Sequence, residues 1–352
     1  MSEIKLKKNP LSLQLNAEDF LPASEEEKRE RIVMRESTTY WKDALQRFSK
    51  NKVAMVSFFV IILIMLCAFI VPVFYPYQYD QQVRGSEDLR PMQYSEMELQ
   101  KISKGESVFP HIFGTDKFGR DMAVRTMIGA RISLLVGLVA SALVLLIGSI
   151  YGAVSGYFGG KVDLVMMRIV DIIYSVPDML IIILLQVTMK EPLNRLFSSN
   201  PALAGFQQIG VGLISIFITF SLLYWVGMAR IVRGQIMMLK EQEFVTAAKA
   251  LGASNRRIIA EHLLPNCIGT LIVTTTLQIP SAIFTEAFLS FLNLGVAAPM
   301  ASLGSLANDA LDGITSYAYR LVVPSVAISL IILSFNLFGD GLRDAFDPKL
   351  KK

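Results

Sequence analysis

The chain has 352 residues, 53% of them hydrophobic and only 18% charged, with a formal net charge of +4 and a mean hydropathy of +0.47. Soluble domains are usually about a quarter charged, so this balance points to a polytopic membrane protein with sizeable polar segments. The net charge is too small to argue for nucleic acid as a partner. Cys67 and Cys267 both lie inside apolar runs, so no disulfide framework is expected. His111 and His262 lack metal-ligand spacing. No Ser/His/Asp set, zinc-type H-E-x-x-H or Gly-rich phosphate loop with its lysine occurs, so no catalytic or metal residue is expected and ATP hydrolysis is not expected of this chain.

In chain order, residues 1–36 read as a solvated charged tail, with no cleavable signal peptide because the first 52 residues are polar. Ser37-Thr38-Thr39 read as a helix cap. Over 40–51, Trp41, Ala44, Leu45 and Phe48 recur at helical spacing beside Lys42, Arg47 and Lys50, which predicts an amphipathic helix on the bilayer surface. Residues 53–75 carry no charge and satisfy the about 20 apolar residues a crossing needs. Residues 76–126 follow as an extramembrane segment.

The second span, 132–157, repeats Gly148, Gly152 and Gly156 every four residues, a bare face for close helix packing in lipid. The third, 162–189, sets Arg168, Asp171, Ser175 and Asp178 on one helix face. Charges in a membrane are costly. This face is therefore either a buried Arg168–Asp171 clamp or the polar wall of a conduit. The fourth span covers 209–228, with Trp225 suited to a membrane interface. In the fifth, 267–291, Thr270, Thr274, Gln278, Ser281 and Thr285 form a second stripe. Hydroxyls and an amide suit a passage that wets peptide-like groups without holding them, or equally bond neighbouring helices. Pro280 is placed to kink this span and Glu286 sits beside the stripe. A short helix is expected at 305–311, a sixth span at 321–338 and a tail at 339–352. The fold class is all-α, a polytopic membrane protein with six transmembrane helices, and both stripes are candidate walls of a translocation pathway.

Between spans four and five, residues 241–266 read E-Q-E-F-V-T-A-A-K-A-L-G-A-S-N-R-R-I-I-A-E-H-L-L-P-N. Gly252 reads as the left-handed residue closing one helix, Ser254 as the cap of the next and Pro265 as its end. Two short helices with an elbow make a knob, and Ala247 and Ala248 keep the first thin enough for another protein surface to approach. Loop 229–265 carries Arg230, Arg233, Lys240, Lys249, Arg256 and Arg257, against Lys190, Arg195 and Arg320 in the opposite loops. Positive residues stay inside, which places the knob and both termini in the cytoplasm.

Thr246-Ala247-Ala248, Gly252 and His262-Leu263-Leu264-Pro265 resemble the EAA loop of ATP-binding-cassette importer membrane subunits, with threonine replacing the leading glutamate and histidine the isoleucine. The likeness extends through Phe113-Gly114-Thr115-Asp116-Lys117-Phe118-Gly119-Arg120-Asp121, Gly156-Tyr157-Phe158-Gly159-Gly160, Leu289-Ser290-Phe291-Leu292-Asn293-Leu294-Gly295-Val296 and Asn336-Leu337-Phe338-Gly339-Asp340-Gly341. In this order the segments are similar to the second permease of oligopeptide and dipeptide importers, the OppC/DppC type. The resemblance implies a type I importer permease fold in a bacterial cytoplasmic membrane, serving ATP-driven oligopeptide import. Implied partners are a homologous OppB/DppB-like permease, two OppD/OppF-like ATP-binding subunits that carry ATP and Mg, an extracytoplasmic peptide-binding protein and membrane lipid. No cofactor is expected in this chain. The implied coupling residues are Thr246, Ala247, Ala248, Gly252, Ala253, Ser254, His262, Leu264 and Pro265. A dipeptide, nickel or other small-solute permease is the alternative within the family. A gradient-driven transporter or channel would account for the stripes but not for the basic knob.

Overall fold

The computed structural model describes residues 39–200, 203, 205, 210–296 and 300–346. The expected tail at 1–36, the Ser37-Thr38 cap and the last residues of the chain lie outside that range. In chain order the first helices are α1 (Tyr40–Lys50), α2 (Lys52–Phe69), α3 (Val71–Phe74), α4 (Glu96–Ser103), α5 (Met122–Phe158), α6 (Gly160–Tyr174) and α7 (Asp178–Ser199). After them come α8 (Val211–Leu223), α9 (Trp225–Leu239), α10 (Glu243–Ala250), α11 (Asn255–Arg257), a π-helical turn (Ile258–Leu263), α12 (Leu264–Asn266), α13 (Ile268–Phe291), α14 (Leu303–Asp309) and α15 (Tyr319–Phe346). The chain divides into two compact units, residues 1–42 and 43–352. Of the first, the described part is the opening turn of α1, where the Tyr40 and Trp41 rings meet edge to face at 5.9 Å. In the second, α1 continues with Phe48 buried against Phe58 and Phe338, while Leu45 is exposed.

Among the described residues, five stretches are long and apolar enough to cross a bilayer: Lys52–Phe74, Met122–Phe158, Val211–Leu239, Ile268–Phe291 and Tyr319–Phe346. A sixth crossing requires α6 and α7 together, and these bend by 79° at their junction. The continuous third span expected at 162–189 is thus broken. Pro177 offers no backbone N–H and forces Val176 out of helical geometry, while apolar flanks hide so short a break from a hydropathy window. Arg168, Asp171, Ser175 and Asp178 therefore do not share one helix face. The buried Arg168–Asp171 clamp does not form either. Arg168 is exposed, and Asp171 pairs at 2.8 Å with Arg230 of α9.

α5 starts ten residues before the expected 132, because Asp121 caps it by accepting the Val124 N–H at 2.9 Å. Its glycine face packs on α9 as the four-residue repeat predicts. A Cβ at Gly152 would stand 2.4 Å from the Ala229 carbonyl oxygen, so only glycine lets the two backbones approach this closely. Trp225 is buried, its ring 4.5 Å from Tyr151 and its indole N–H donated to the Leu222 carbonyl at 3.0 Å. α9 continues to Leu239, so the connection begins at 240 rather than 229. α15 likewise runs through the expected tail to Phe346, with Gly341 seated against Ala54 of α2. α14 starts two residues before the expected short helix, on a reciprocal Ser302–Ser305 capping box.

Residues 76–121 gather over the N-terminal end of α5. The buried His111 ring sits between two carboxylates, its Nδ1 2.7 Å from Asp121 and its Nε2 3.1 Å from Glu98, and stacks on Tyr77 at 4.4 Å. Glu98 also closes the capping box that starts α4, accepting the Ser95 N–H at 2.8 Å. One imidazole therefore ties segment 76–121 to the N-cap of α5.

Candidate functional site

α10 ends on Gly252, whose φ of +81° is left-handed. The Ala253 N–H donates to the Ala248 carbonyl and the Gly252 N–H to that of Lys249, both at 3.0 Å. These two bonds make a Schellman motif, which satisfies carbonyls the helix end would otherwise leave free. Nothing lies within 4 Å of a Cβ placed at Gly252, so glycine is needed there for its backbone conformation and not for space. Ser254 then caps α11 by accepting the Arg257 N–H at 3.4 Å.

Pro265 does not end this helix. The helical path runs on from α11 through the π-helical turn and α12 into α13, interrupted only at Cys267. The wider turn at Ile258–Leu263 accommodates a residue that lacks an N–H and would clash with the carbonyl four positions back. The knob is consequently the stiff root of the fifth span rather than a loop beside it.

Within the knob, Thr246 and Ala247 face solvent, as do Ser254 and Pro265, and Leu251 at the tip is 89% exposed. Ala253, His262 and Leu264 are half-buried. Ala248 faces inward, packed with Val245, Ile258, Leu263 and Val232, so its small side chain serves the chain's own core. Several contacts strap this unit and the end of α9 that leads into it to the neighbouring helices. Tyr157 at the end of α5 donates its hydroxyl to Asn255 Oδ1 at 2.8 Å, and Lys249 lies over the same ring. Lys240 Nζ donates to the Gly156 carbonyl at 3.0 Å. Arg233 of α9 grips both oxygens of Asp163 on α6 at 2.5 Å each, and Asp163 also accepts from Ser155 of α5. Nothing local in the sequence marks the contacts of Tyr157, Asp163, Arg233 and Lys240, because their partners lie up to 98 positions away.

The fifth-span stripe divides. Ser281 and Gln278 line a concavity of about 520 Å³ together with Ser175, Asp178 and Tyr224. Gln278 is shared with a second concavity of about 750 Å³ nearer the knob, lined also by Thr270 and Thr274. Thr285 belongs to neither, being buried in hydrogen bonds to the Tyr224 hydroxyl at 2.6 Å and the Ser281 carbonyl at 3.0 Å. Arg168 and Asp171 line neither concavity. Glu286 is fully buried and accepts from Ser133 at 2.6 Å and Ser290 at 2.7 Å, joining α5 to α13.

The sequence of this bundle has close counterparts. Residues 144–352, more than half the chain, match the family described as binding-protein-dependent transport system inner membrane component. Residues 39–91 match the N-terminal TM domain of oligopeptide transport permease C. The oligopeptide transport system permease protein OppC of Bacillus subtilis is 43% identical over 333 residues, covering 95% of this chain and 97% of its own length. The dipeptide transport system permease protein DppC of the same organism is 42% identical over 340 residues, covering 96% and 95%. The OppC of Escherichia coli K12 is 38% identical over 314 residues, covering 89% and 93%. A chain of the inward-facing MetNI methionine ABC transporter aligns with 62% of this one at 19% identity and a TM-score of 0.47. Membrane-length helices and full-length likeness to these permeases together place the chain, an integral membrane protein, in the family of binding-protein-dependent transport system inner membrane components, among permease subunits of the OppC/DppC type.

Proposed function

We propose that the chain is a permease subunit of an ATP-driven oligopeptide importer, forming half of a pathway that a homologous second permease completes. Two ATP-binding subunits, which carry ATP and Mg, seat on the knob in the cytoplasm, and an extracytoplasmic binding protein delivers peptide. The observation that carries this reading is the knob: exposed Thr246, Ala247 and Leu251 on a helix whose end is set by Gly252 and which is strapped to α5 and rooted in α13. A motor docked there shifts the fifth span directly and the second through Tyr157 and Asn255. Alternating access then follows if the nucleotide-bound motor binds the two states of the spans unequally. Thr270, Thr274, Gln278, Ser281, Ser175 and Asp178 line the path, while Thr285 packs it.

The test is transport by the assembled complex in proteoliposomes. Gly252→Val puts a β-branched residue at a left-handed position, costing about 1–3 kcal/mol. The expected outcome is ATP hydrolysis without peptide uptake, with the complex still recovered from membranes. Uptake by the variant at the wild-type rate would remove the knob from the mechanism. Uptake driven by an ion gradient in the absence of hydrolysable ATP would overturn the importer class.

A further inference from the structure

The two concavities that meet at Gln278 carry opposite charges, and the fold uses neither. Among the residues lining the first, only Asp178 is charged; among those lining the second, only Arg343. Both side chains are exposed. Neither makes an ion pair or side-chain hydrogen bond among the described residues. Asp178 opens α7 just after the break in the third span, where the amide dipoles of the first turn favour a negative charge. Irregular backbone at membrane depth persists where it borders protein or a wet cavity, and here it borders the concavity that Asp178 lines. Arg343 lies in the last turn of α15, which complements a cation. Helix ends thus account for the sign of each charge but, among the described residues, leave both side chains without an ion-pair or hydrogen-bond partner.

Between them runs the polar stripe of α13. From Ser281 to Thr270 the helix rises about 16 Å, the length of about five extended peptide residues. Hydroxyls and one amide can exchange hydrogen bonds with peptide N–H and C=O groups along that distance, and no aromatic or second charge interrupts the stripe itself.

Resting on the importer reading above, we propose that this face is a polarised corridor for zwitterionic chains, in which Asp178 receives ammonium groups beside the broken span and Arg343 receives carboxylates beside the knob. A passing peptide meets a carboxylate where its water shell is first stripped and a guanidinium before it leaves. Substrate charge then tunes the rate of passage independently of capture by the binding protein.

The experiment uses the full complex in proteoliposomes and three probes: trilysine, trialanine and triglutamate. Their uptake ratios cancel differences in expression or folding. Asp178→Asn is expected to lower the trilysine-to-trialanine ratio about two- to five-fold, the range for a solvent-exposed charge pair. Asp178→Glu should restore it. Arg343→Gln should lower the triglutamate-to-trialanine ratio by a similar factor while leaving the trilysine ratio at or above wild type. Scaling of all three probes by one factor in Asp178→Asn, or unchanged ratios, would overturn the corridor. Failure of the wild-type complex to take up any probe with ATP is a different result, which overturns the importer reading itself.

Discussion

The two ends of α5 are held by different means. At its C-terminal end the knob is shaped by local turn chemistry: a Schellman glycine, a serine cap and a π-turn ahead of a proline. At its N-terminal end the segment 76–121 is held by buried charge, with His111 between Asp121 and Glu98 and Asp116 held by the Arg120 guanidinium at 2.6 Å. Turn chemistry needs few tertiary contacts and suits a part that must move as one body. Buried charge ties distant segments together, and its strength depends on protonation. On the function proposed above, the first end is the one a motor would push and the second the one that stays put.

The largest effect is expected where the two backbones touch. Gly152→Leu would drive a side chain into the Ala229 carbonyl and pry α9, and the knob with it, from α5. Overpacking of this kind costs about 3 kcal/mol. The expected result is loss of monodisperse protein in detergent, and a normally eluting variant with unchanged Tm would refute the close approach. Next comes Asp163→Ala, which deprives Arg233 of both its oxygens. Hydrogen bonds to charged groups are worth about 1.5–3 kcal/mol, and partial exposure of the pair places the loss near the lower figure. Thermal unfolding should report it, together with faster proteolysis between 240 and 266. If only the far end became protease-sensitive, the assignment of straps to ends would be reversed. A comparable effect is expected from Gly252→Ala, about 1–2 kcal/mol of left-handed strain, and a smaller one from Gly252→Asn, which tolerates that region. Equal losses for both variants would mean that space, not conformation, selects the glycine.

This division also explains what the sequence disclosed. Gly252, Ser254 and the Gly148, Gly152 and Gly156 face act through neighbours within a few residues or through a periodic repeat, and both kinds of signal survive in a linear string. The break at Ser175–Pro177 is hidden in the sequence because apolar flanks dominate any window long enough to find a span. Pro265 reads as a stop because the π-turn that accommodates it has no residue signature of its own. Asp163–Arg233 pairs residues 70 positions apart, and Tyr157–Asn255 spans 98, so nothing local marks either contact. The stripe on α13 was legible as a face, but not its division: Thr285 is buried because Tyr224 happens to reach it.

The mildest prediction separates the two ends by pH. Burial alone would lower the His111 pKa, but hydrogen bonds and charges from Asp121 and Glu98 outweigh it and raise the value above its ordinary one. The geometry agrees, because each ring nitrogen faces a carboxylate and only an imidazolium can donate to both. Tyr75 and Tyr77 also face the cluster; Tyr77 is pushed up to about 12 by burial and by Glu98 and Asp121, so it stays neutral throughout. A histidine with a raised folded-state pKa contributes fully below its unfolded value, about 6.5, and the contribution is lost as pH rises through the folded value. Hydrogen exchange in 105–121 should therefore be slow at pH 6 and accelerate, beyond its intrinsic pH dependence, as His111 loses its proton. The Schellman amides of Gly252 and Ala253 should follow the intrinsic dependence alone. His111→Gln should abolish the excess at the far end. If excess exchange rises equally at both ends, or persists in His111→Gln, the far end is not held by this imidazolium.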